Sequence, residues 1–336
     1  MPLTAAVTKT EAKQDLTAEE TRAAFDVLFS GEAPENQIAA FLLALHNKGE
    51  TADEILGAVQ SMRGKMEPIA APANAIDIVG TGGDGRNTLN ISTAAALVVA
   101  ACGIPVAKHG NRAASSRSGS SDVLAALGLN LEPSFAVLER CLAEANLCFL
   151  FAPRHHPSMR HVADIRRKLG MRTTFNLLGP LTNPASVKRH LIGVYDAQWL
   201  RPMAETLRQL GSEAAWLTHG QDGMDELTTY APSNVITLAG GKIGTKTVFA
   251  MEAGIATPAA GALEGGDAAF NAVSLKRLLA GEKGPYRDIV ALNAAAALIV
   301  SEKADNLHDG VAMAGEVLDN GAAAATLAKL VKLTNA

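Results

Sequence analysis

Three short stretches of the chain carry residue types suited to holding a phosphorylated ligand. The first, IVGTGGDGRNTLNIST (residues 78–93), sets Gly80, Gly82, Gly83 and Gly85 between a β-branched run and an alanine-rich helical run. Glycines let backbone N–H groups approach an anion, and a helix start adds positive potential. Read literally, Gly80, Gly82 and Gly85 spell G-x-G-x-x-G. A dinucleotide fold needs a helix opening within that motif and an acidic residue about 20 positions on. Here RNTLN delays the helix, and the next strand ends in Lys108-His109. A nucleotide P-loop needs Lys-Ser or Lys-Thr after its last glycine, and this chain has Arg86-Asn87. A third reading uses the residues both leave over. Asp84, Thr88, Asn90, Ser92 and Thr93 crowd the loop with hydroxyls, an amide and a carboxylate. Asp84 suits a sugar hydroxyl or a metal, and Ser92 can offer an oxygen to Mg²⁺. Helix capping by Asn90, Ser92 or Thr93 accounts for those side chains but leaves the glycines unexplained.

The second stretch, KHGNRAASSRSGSSD (residues 108–122), supplies cations and hydroxyls after the next strand. Facing the glycines, it makes a site for a polyphosphate; alone, it reads equally as a solvated loop. The third, THGQDGMDELT (residues 218–228), clusters Asp222, Asp225 and Glu226 after another strand. Carboxylates beside a polyphosphate need a bridging cation, and Mg²⁺ takes one or two of them plus phosphate oxygens and water. The D-x-[DN] spacing of a calcium loop is absent. A fourth stretch, FAPRHHPSMRHVADIRRKLG (residues 151–170), carries His155, His156 and His161 without a zinc pattern. Its arginines allow a bidentate carboxylate clamp or ordinary surface ion pairs. NLLGPLTNP, which follows, reads as a hinge or pocket wall.

The elements needed to position these loops are legible. Thr17/Glu20 and Thr51/Glu54 are capping boxes before apolar-periodic runs, so the first seventy or so residues read as helices. GKMEPIAAPANA (residues 64–75) reads as a linker suited to a hinge. From Ile76 onward strands alternate with helices. The expected fold is therefore α/β, a mostly parallel central sheet flanked by helices, with a smaller all-helical domain. Ligand loops then fall at the carboxyl edge of the sheet. Residues 234–251 predict a hairpin around Gly240-Gly241, and the chain beyond about residue 268 reads as helical.

Over the 336 residues, 48% hydrophobic and 19% charged content fits a folded protein. A net charge of −4 provides no basic field for nucleic acid. Cys102, Cys141 and Cys148 form no C-x-x-C pair and lie in apolar runs, as reduced cytosolic thiols do. The first twenty residues lack a signal-peptide apolar region, and no apolar run is long enough to span a membrane.

As an ordered set, GTGGDGRNTLNIST, KHGNRAASSRSGSSDVLAALG, HPSMRHVADIRRKLG, RTTFNLLGPLTNP and HGQDGMDELT resemble the signatures of the anthranilate phosphoribosyltransferase family of tryptophan biosynthesis. The resemblance extends from the N-terminal to the C-terminal helices. It implies the nucleoside phosphorylase-type fold, with a small helical domain over residues 1–72 plus a returning segment near 171–188, and a large α/β domain over residues 73–336. It implies a Mg²⁺-dependent cytoplasmic homodimer that joins phosphoribosyl pyrophosphate to anthranilate. By position, Gly80, Gly83, Asp84, Thr88, Asn90, Ile91, Ser92 and Thr93 would bind phosphoribosyl pyrophosphate. Lys108, His109, Gly110, Asn111, Arg112, Ala113, Ala114, Ser115, Ser116 and Ser120 would complete that site. Ser92, Asp225 and Glu226 would hold Mg²⁺. Gly80, Asn111 and Arg166 would meet anthranilate, with Arg166 facing its carboxylate. Arg117 and Met224 stand where the family often has Lys and Leu.

The implied chemistry needs no strong general acid or base. Anthranilate is a weak nucleophile, so the sugar–pyrophosphate bond must break largely first, with Lys108 acting electrostatically on the leaving group. Two other functions compete. A pyrimidine nucleoside phosphorylase would use phosphate and would not need the Asp225–Glu226 pair. A nucleic-acid-binding relative would carry a basic surface and a damaged acidic pair. Small-molecule substrates, with neither nucleic acid nor membrane as partner, are the expectation.

Overall fold

The computed structural model describes residues 3–112 and 117–336. Helices α1 (Leu3–Glu11), α2 (Ala18–Ser30), α3 (Glu35–Lys48) and α4 (Ala52–Arg63) open the chain. Both expected capping boxes form: Thr17 and Thr51 accept from the N–H groups of Glu20 and Glu54, whose carboxylates return to the cap N–H groups. Each satisfies two backbone donors that a helix start leaves free. Glu54 is also fully buried, where it pairs with Lys48 at 2.8 Å and accepts Leu16 N–H at 2.9 Å.

The chain then alternates as expected through β1 (Ile76–Gly80), α5 (Ile91–Ala101), β2 (Val106–Gly110), α6 (Ser120–Ala126), α7 (Phe135–Ala145) and β3 (Leu147–Phe151). Short α8 (Ala152–His155), α9 (Arg160–Leu169) and short α10 (Phe175–Leu178) follow. Next come β4 (Arg189–Gly193), α11 (Leu200–Gln209), β5 (Ala214–Gly220), β6 (Ser233–Ala239) and β7 (Lys242–Val248). Helices α12 (Ala268–Leu279), α13 (Pro285–Val300), α14 (Leu307–Asp319) and α15 (Ala322–Thr334) close the chain.

The fold is α/β. One seven-stranded sheet runs in the order β3-β2-β1-β4-β5-β6-β7, with the first five strands parallel and the last two antiparallel. Strand order reverses beside β1, the switch point at whose carboxyl ends such sheets bind ligands. Two apolar clusters cover the sheet. One joins α5, α7 and α12–α15 to one face; α5 and α13 are apolar nearly all round and buried accordingly. The other joins α1–α4 and α11 to Val79, Ile192, Leu217 and Ile236, with Val162, Ile165, Phe175, Leu177 and Leu178 from α9 and α10.

Local differences from the sequence reading have simple causes. The strand expected from Ile104 begins at Val106, because Pro105 has no N–H for a ladder. The helix expected from Pro157 is a 3₁₀ turn, Pro157–Met159, leading into α9. Residues 64–75 have no regular element but are pinned: Glu67 N–H donates to His155 C=O at 2.8 Å and Ile69 N–H to Pro184 C=O at 3.3 Å. Gly240 and Gly241, with φ of +53° and +75°, close the β6–β7 hairpin in the mirror-image turn that glycine permits. Ala239 pairs with Ala214, so this turn lies level with the amino ends of the parallel strands. Among the described residues, no helix is long and apolar enough to cross a membrane.

Candidate active site

The glycine loop leaves the end of β1 and is held by close backbone approach. Gly80 and Gly193 are partners across β1 and β4. A Cβ on Gly80 would stand 2.5 Å from Asp225 Oδ2, and one on Gly193 would stand 1.5 Å from the Asp225 carbonyl. Only glycine at both strand ends lets the acidic loop after β5 fold across them. Gly82 N–H donates to Asp225 Oδ2 at 2.8 Å, and Asp225 N–H to Asp84 Oδ2 at 3.4 Å. Asp84 Oδ1 accepts Arg86 N–H at 3.0 Å. Gly82, Gly83 and Gly85 have φ of +67°, +76° and +74°, the left-handed region that side chains resist.

Lys108 rises from β2 into this arrangement and is only 3% exposed. Its Nζ donates to Ile78 C=O at 2.5 Å and lies 3.4 Å from Ser92 Oγ. Glu226 accepts Ser92 N–H at 3.2 Å. Burial raises Glu226 well above the ordinary carboxyl range, with Asp225 adding repulsion. Burial, then Asp84, pushes Asp225 up to about 7. Burial lowers Lys108, opposed by the charges of Asp77, Glu226 and Asp225. Two adjacent carboxylates crowded by a third, beside a hydroxyl, are a donor set short of positive charge. Among the described residues no three His, Cys, Asp or Glu side chains form a closed cage. That fits Mg²⁺, which keeps positions for phosphate oxygens and water, and does not fit a structural metal.

The start of α5 is open rather than capped. Asn90 occupies the N-cap without a side-chain cap bond; its Oδ1 accepts from Asn271 Nδ2 at 2.8 Å instead. Thr93 Oγ1 is buried with no hydrogen-bond partner among the described residues. A helix start with free N–H groups beside an unpartnered hydroxyl is suited to an anion. Ile91 differs: its side chain is 2% exposed and its N–H already bonds Leu89 C=O at 2.8 Å. Thr88 bridges to Glu264, which ties the loop to residues 262–267.

The other β2 residues point elsewhere. His109 Nδ1 lies 2.9 Å from Gly179 C=O, and its ring centre is 5.1 Å from that of His156. Burial pushes His109 down to about 4 and His156 to about 2, so both are neutral. Gly110 is glycine of necessity, since a Cβ would meet Phe149 and Ser120 Oγ at 2.5 Å. Ser120 Oγ donates to Asn111 C=O at 3.3 Å, and Asn111 Oδ1 accepts Arg112 N–H at 2.7 Å. Ala113, Ala114, Ser115 and Ser116 lie outside the described residues.

Arg166, in the last turn of α9, stacks 4.9 Å from the Phe175 ring centre. Burial lowers its guanidinium, and it has no ion-pair partner among the described residues. No hydrogen bond there joins it to the glycine loop. Its charge is thus kept for something else, on the helical side of the site.

Several supporting residues carried no readable signal. Asn271 and Tyr286 hold Asn90 from α12 and α13, at 2.8 Å and 3.2 Å. Arg172 and Tyr195 grip the outside of the glycine loop. Gly193 left a trace, as a glycine ending an apolar strand run.

Two family models match the chain: the glycosyl transferase family a/b domain over residues 72–324, and the glycosyl transferase family helical bundle domain over residues 4–66. An anthranilate phosphoribosyltransferase of Chelativorans sp. (strain BNC1) is 53% identical over 333 residues, covering 99% of this chain and 98% of that one. That of Parvibaculum lavamentivorans is 55% identical over 320 residues, covering 95% and 94%. The crystal structure of the Thermus thermophilus anthranilate phosphoribosyltransferase matches with a TM-score of 0.92 and 43% identity, over 98% of this chain and 99% of that one. The Saccharomyces cerevisiae anthranilate phosphoribosyltransferase in complex with PRPP and Mg matches with a TM-score of 0.92 and 26% identity, over 99% and 98%. With its glycine loop, acidic pair and helical bundle all in place, the chain belongs to the anthranilate phosphoribosyltransferase family.

Proposed function

We propose that this sheet edge transfers the 5-phosphoribosyl group from phosphoribosyl pyrophosphate to the amine of anthranilate. The products are N-(5-phosphoribosyl)anthranilate and pyrophosphate, a step in L-tryptophan biosynthesis. The observation that carries the reading is the meeting of Lys108, Ser92, Asp225 and Glu226 beneath the open start of α5. Anion-binding groups and paired carboxylates share one site, which a metal–diphosphate ligand satisfies and phosphate alone does not.

Ser92, Asp225 and Glu226 would hold Mg²⁺, which supplies positive charge to the departing diphosphate. Lys108, fixed by the Ile78 carbonyl, adds a second positive charge where negative charge grows. The glycine-loop and α5 N–H groups, with Thr93 and the Lys108–Ser120 stretch, cradle the diphosphate and sugar phosphate. As the C1–O bond breaks, the amine nitrogen bonds C1 and then loses its proton to solvent. Arg166 pairs with the anthranilate carboxylate, while Asn111 and Gly80 line the acceptor position. His109 and His156 are assigned no proton transfer.

The working units are a helical domain of residues 1–72 with the segment near 171–188, and an α/β domain of residues 73–336. Their closure would exclude water that otherwise captures the sugar cation. The working form is a cytoplasmic homodimer.

Loss of anthranilate fluorescence with phosphoribosyl pyrophosphate and Mg²⁺ tests the reaction, provided pyrophosphate release matches it and a chelator stops both. Arg166→Ala should raise KM for anthranilate about 10- to 100-fold, the worth of a charge-assisted pair. Unchanged fluorescence with folded protein would overturn the assignment. Phosphorolysis of a pyrimidine nucleoside would replace it.

A further inference from the structure

The glycine loop has no ladder of its own, and three consecutive residues are held by three different parts of the chain. Thr81 N–H donates to Gly193 C=O at 2.9 Å, and Gly82 N–H to Asp225 Oδ2 at 2.8 Å. The Gly83 carbonyl accepts from Arg172 Nη2. Arg172 lies in the returning segment near 171–188, and its guanidinium sits 4.2 Å over the Tyr195 ring. Tyr195 in turn donates its backbone N–H to Thr81 Oγ1 at 3.0 Å, so one residue supports both ends of the grip.

Arg172 is not holding its own segment in place. That task falls to Thr174 Oγ1, which donates to buried Glu50 at 2.6 Å, and to Asn176 Oδ1, which accepts Thr173 N–H at 3.0 Å. Arg172 is itself exposed, in an open polar cleft of about 590 Å³ that Asp84, Arg86, Tyr195 and His219 also line. Among the described residues it has no carboxylate partner. An exposed arginine committed to one carbonyl and one ring calls for a reason. The peptide supplies it: a trans peptide is planar, so its carbonyl and its N–H point to opposite sides. Fixing the Gly83 carbonyl on Arg172 fixes the Asp84 N–H on the other side of the loop. Released, left-handed Gly83 is free to turn its carbonyl, a repulsive group, toward a bound anion.

We infer that Arg172 is a positioning residue: stacked on Tyr195, it holds the Gly83 carbonyl away from the diphosphate and the Asp84 N–H toward it, and links the glycine loop to segment 171–188. The inference rests on the proposed phosphoribosyl pyrophosphate site. Arginine is required rather than any cation, because one planar fork must stack and donate at once.

The test is calorimetric titration of phosphoribosyl pyrophosphate with Mg²⁺ into the full chain, beside steady-state KM values for both substrates and thermal melting. Arg172→Met and Arg172→Lys should both weaken phosphoribosyl pyrophosphate binding about tenfold, with KM for anthranilate within about twofold and melting unchanged. Tyr195→Leu should weaken it in the same direction, less than additively with Arg172→Met, and Tyr195→Phe should restore most of the affinity. Wild-type binding with an equal affinity in Arg172→Met overturns this inference alone. Full affinity in Arg172→Lys with loss in Arg172→Met makes the residue a simple charge and also overturns it. No binding by folded wild type overturns the proposed function and this inference together.

Discussion

Lys108 and His109 are neighbours on β2, each 3% exposed, and alternation sends them to opposite faces of the sheet. On the Lys108 side stand Glu226, Asp225 and Asp77, whose charges oppose the desolvation of its ammonium. On the His109 side stand His155 and His156, a backbone carbonyl and no carboxylate strong enough to hold a proton on the ring. Burial penalises both cations alike. What separates a site that handles charge from one that excludes it is the counter-charge opposite, and one residue's step along the strand changes it.

The largest effect should come from removing the charge on the first side. Lys108→Met should cut turnover about 10²- to 10³-fold, as loss of one preorganised transition-state donor does. Initial rates at saturating substrates measure it, and wild-type turnover would show that Lys108 does not face the leaving group. Next, Asp225→Asn should raise the Mg²⁺ concentration for half-maximal rate about 10- to 100-fold, as expected for a lost charge-assisted contact. A metal titration with unchanged midpoint would remove Asp225 from the metal set.

The other side should respond to acid instead. His109 and His156 have folded values of about 4 and about 2, below the ordinary 6.5. Between these values and 6.5 the unfolded chain binds more protons than the native one. Their contribution to stability is therefore full above about pH 6.5 and drains as pH falls toward 4. The urea midpoint should drop across that window, and His156→Leu should flatten the slope. An equal slope in the variant would place the acid sensitivity elsewhere. The smallest effect belongs to charges on neither side. Arg167 and Asp164 pair at the surface, 77% and 70% exposed, and Arg167→Ala should shift stability by less than about 0.5 kcal/mol.

Much of this contrast was legible before the fold. The glycine loop, the Lys108 loop and the Asp225–Glu226 loop each follow a β-branched or apolar run, so parallel strands bring them to one edge. The capping boxes at Thr17 and Thr51 formed as read, because a box is a local arrangement among four residues. Asp77 gave a partial sign, as an acid inside the strand IDIVG. Its partner, Asn183 at 2.7 Å, lies 106 residues away, and no pattern in the chain joins them. Arg172 was hidden for the same reason: its ring and its carbonyl lie on two other segments. Asn271 looked like any polar position of α12, yet it holds Asn90. Sequence pattern reports the groups that face a ligand when they arrive as a run; it is silent on single side chains whose meaning is set by distant backbone.

The Gly240–Gly241 turn has a practical consequence. It joins the two outermost strands at the end of the sheet opposite the catalytic loops, and its glycines are exposed. A reporter domain or affinity tag spliced there would extend from the molecule's far rim. The enzyme offers engineers an attachment point whose cargo need not enter the path of either substrate.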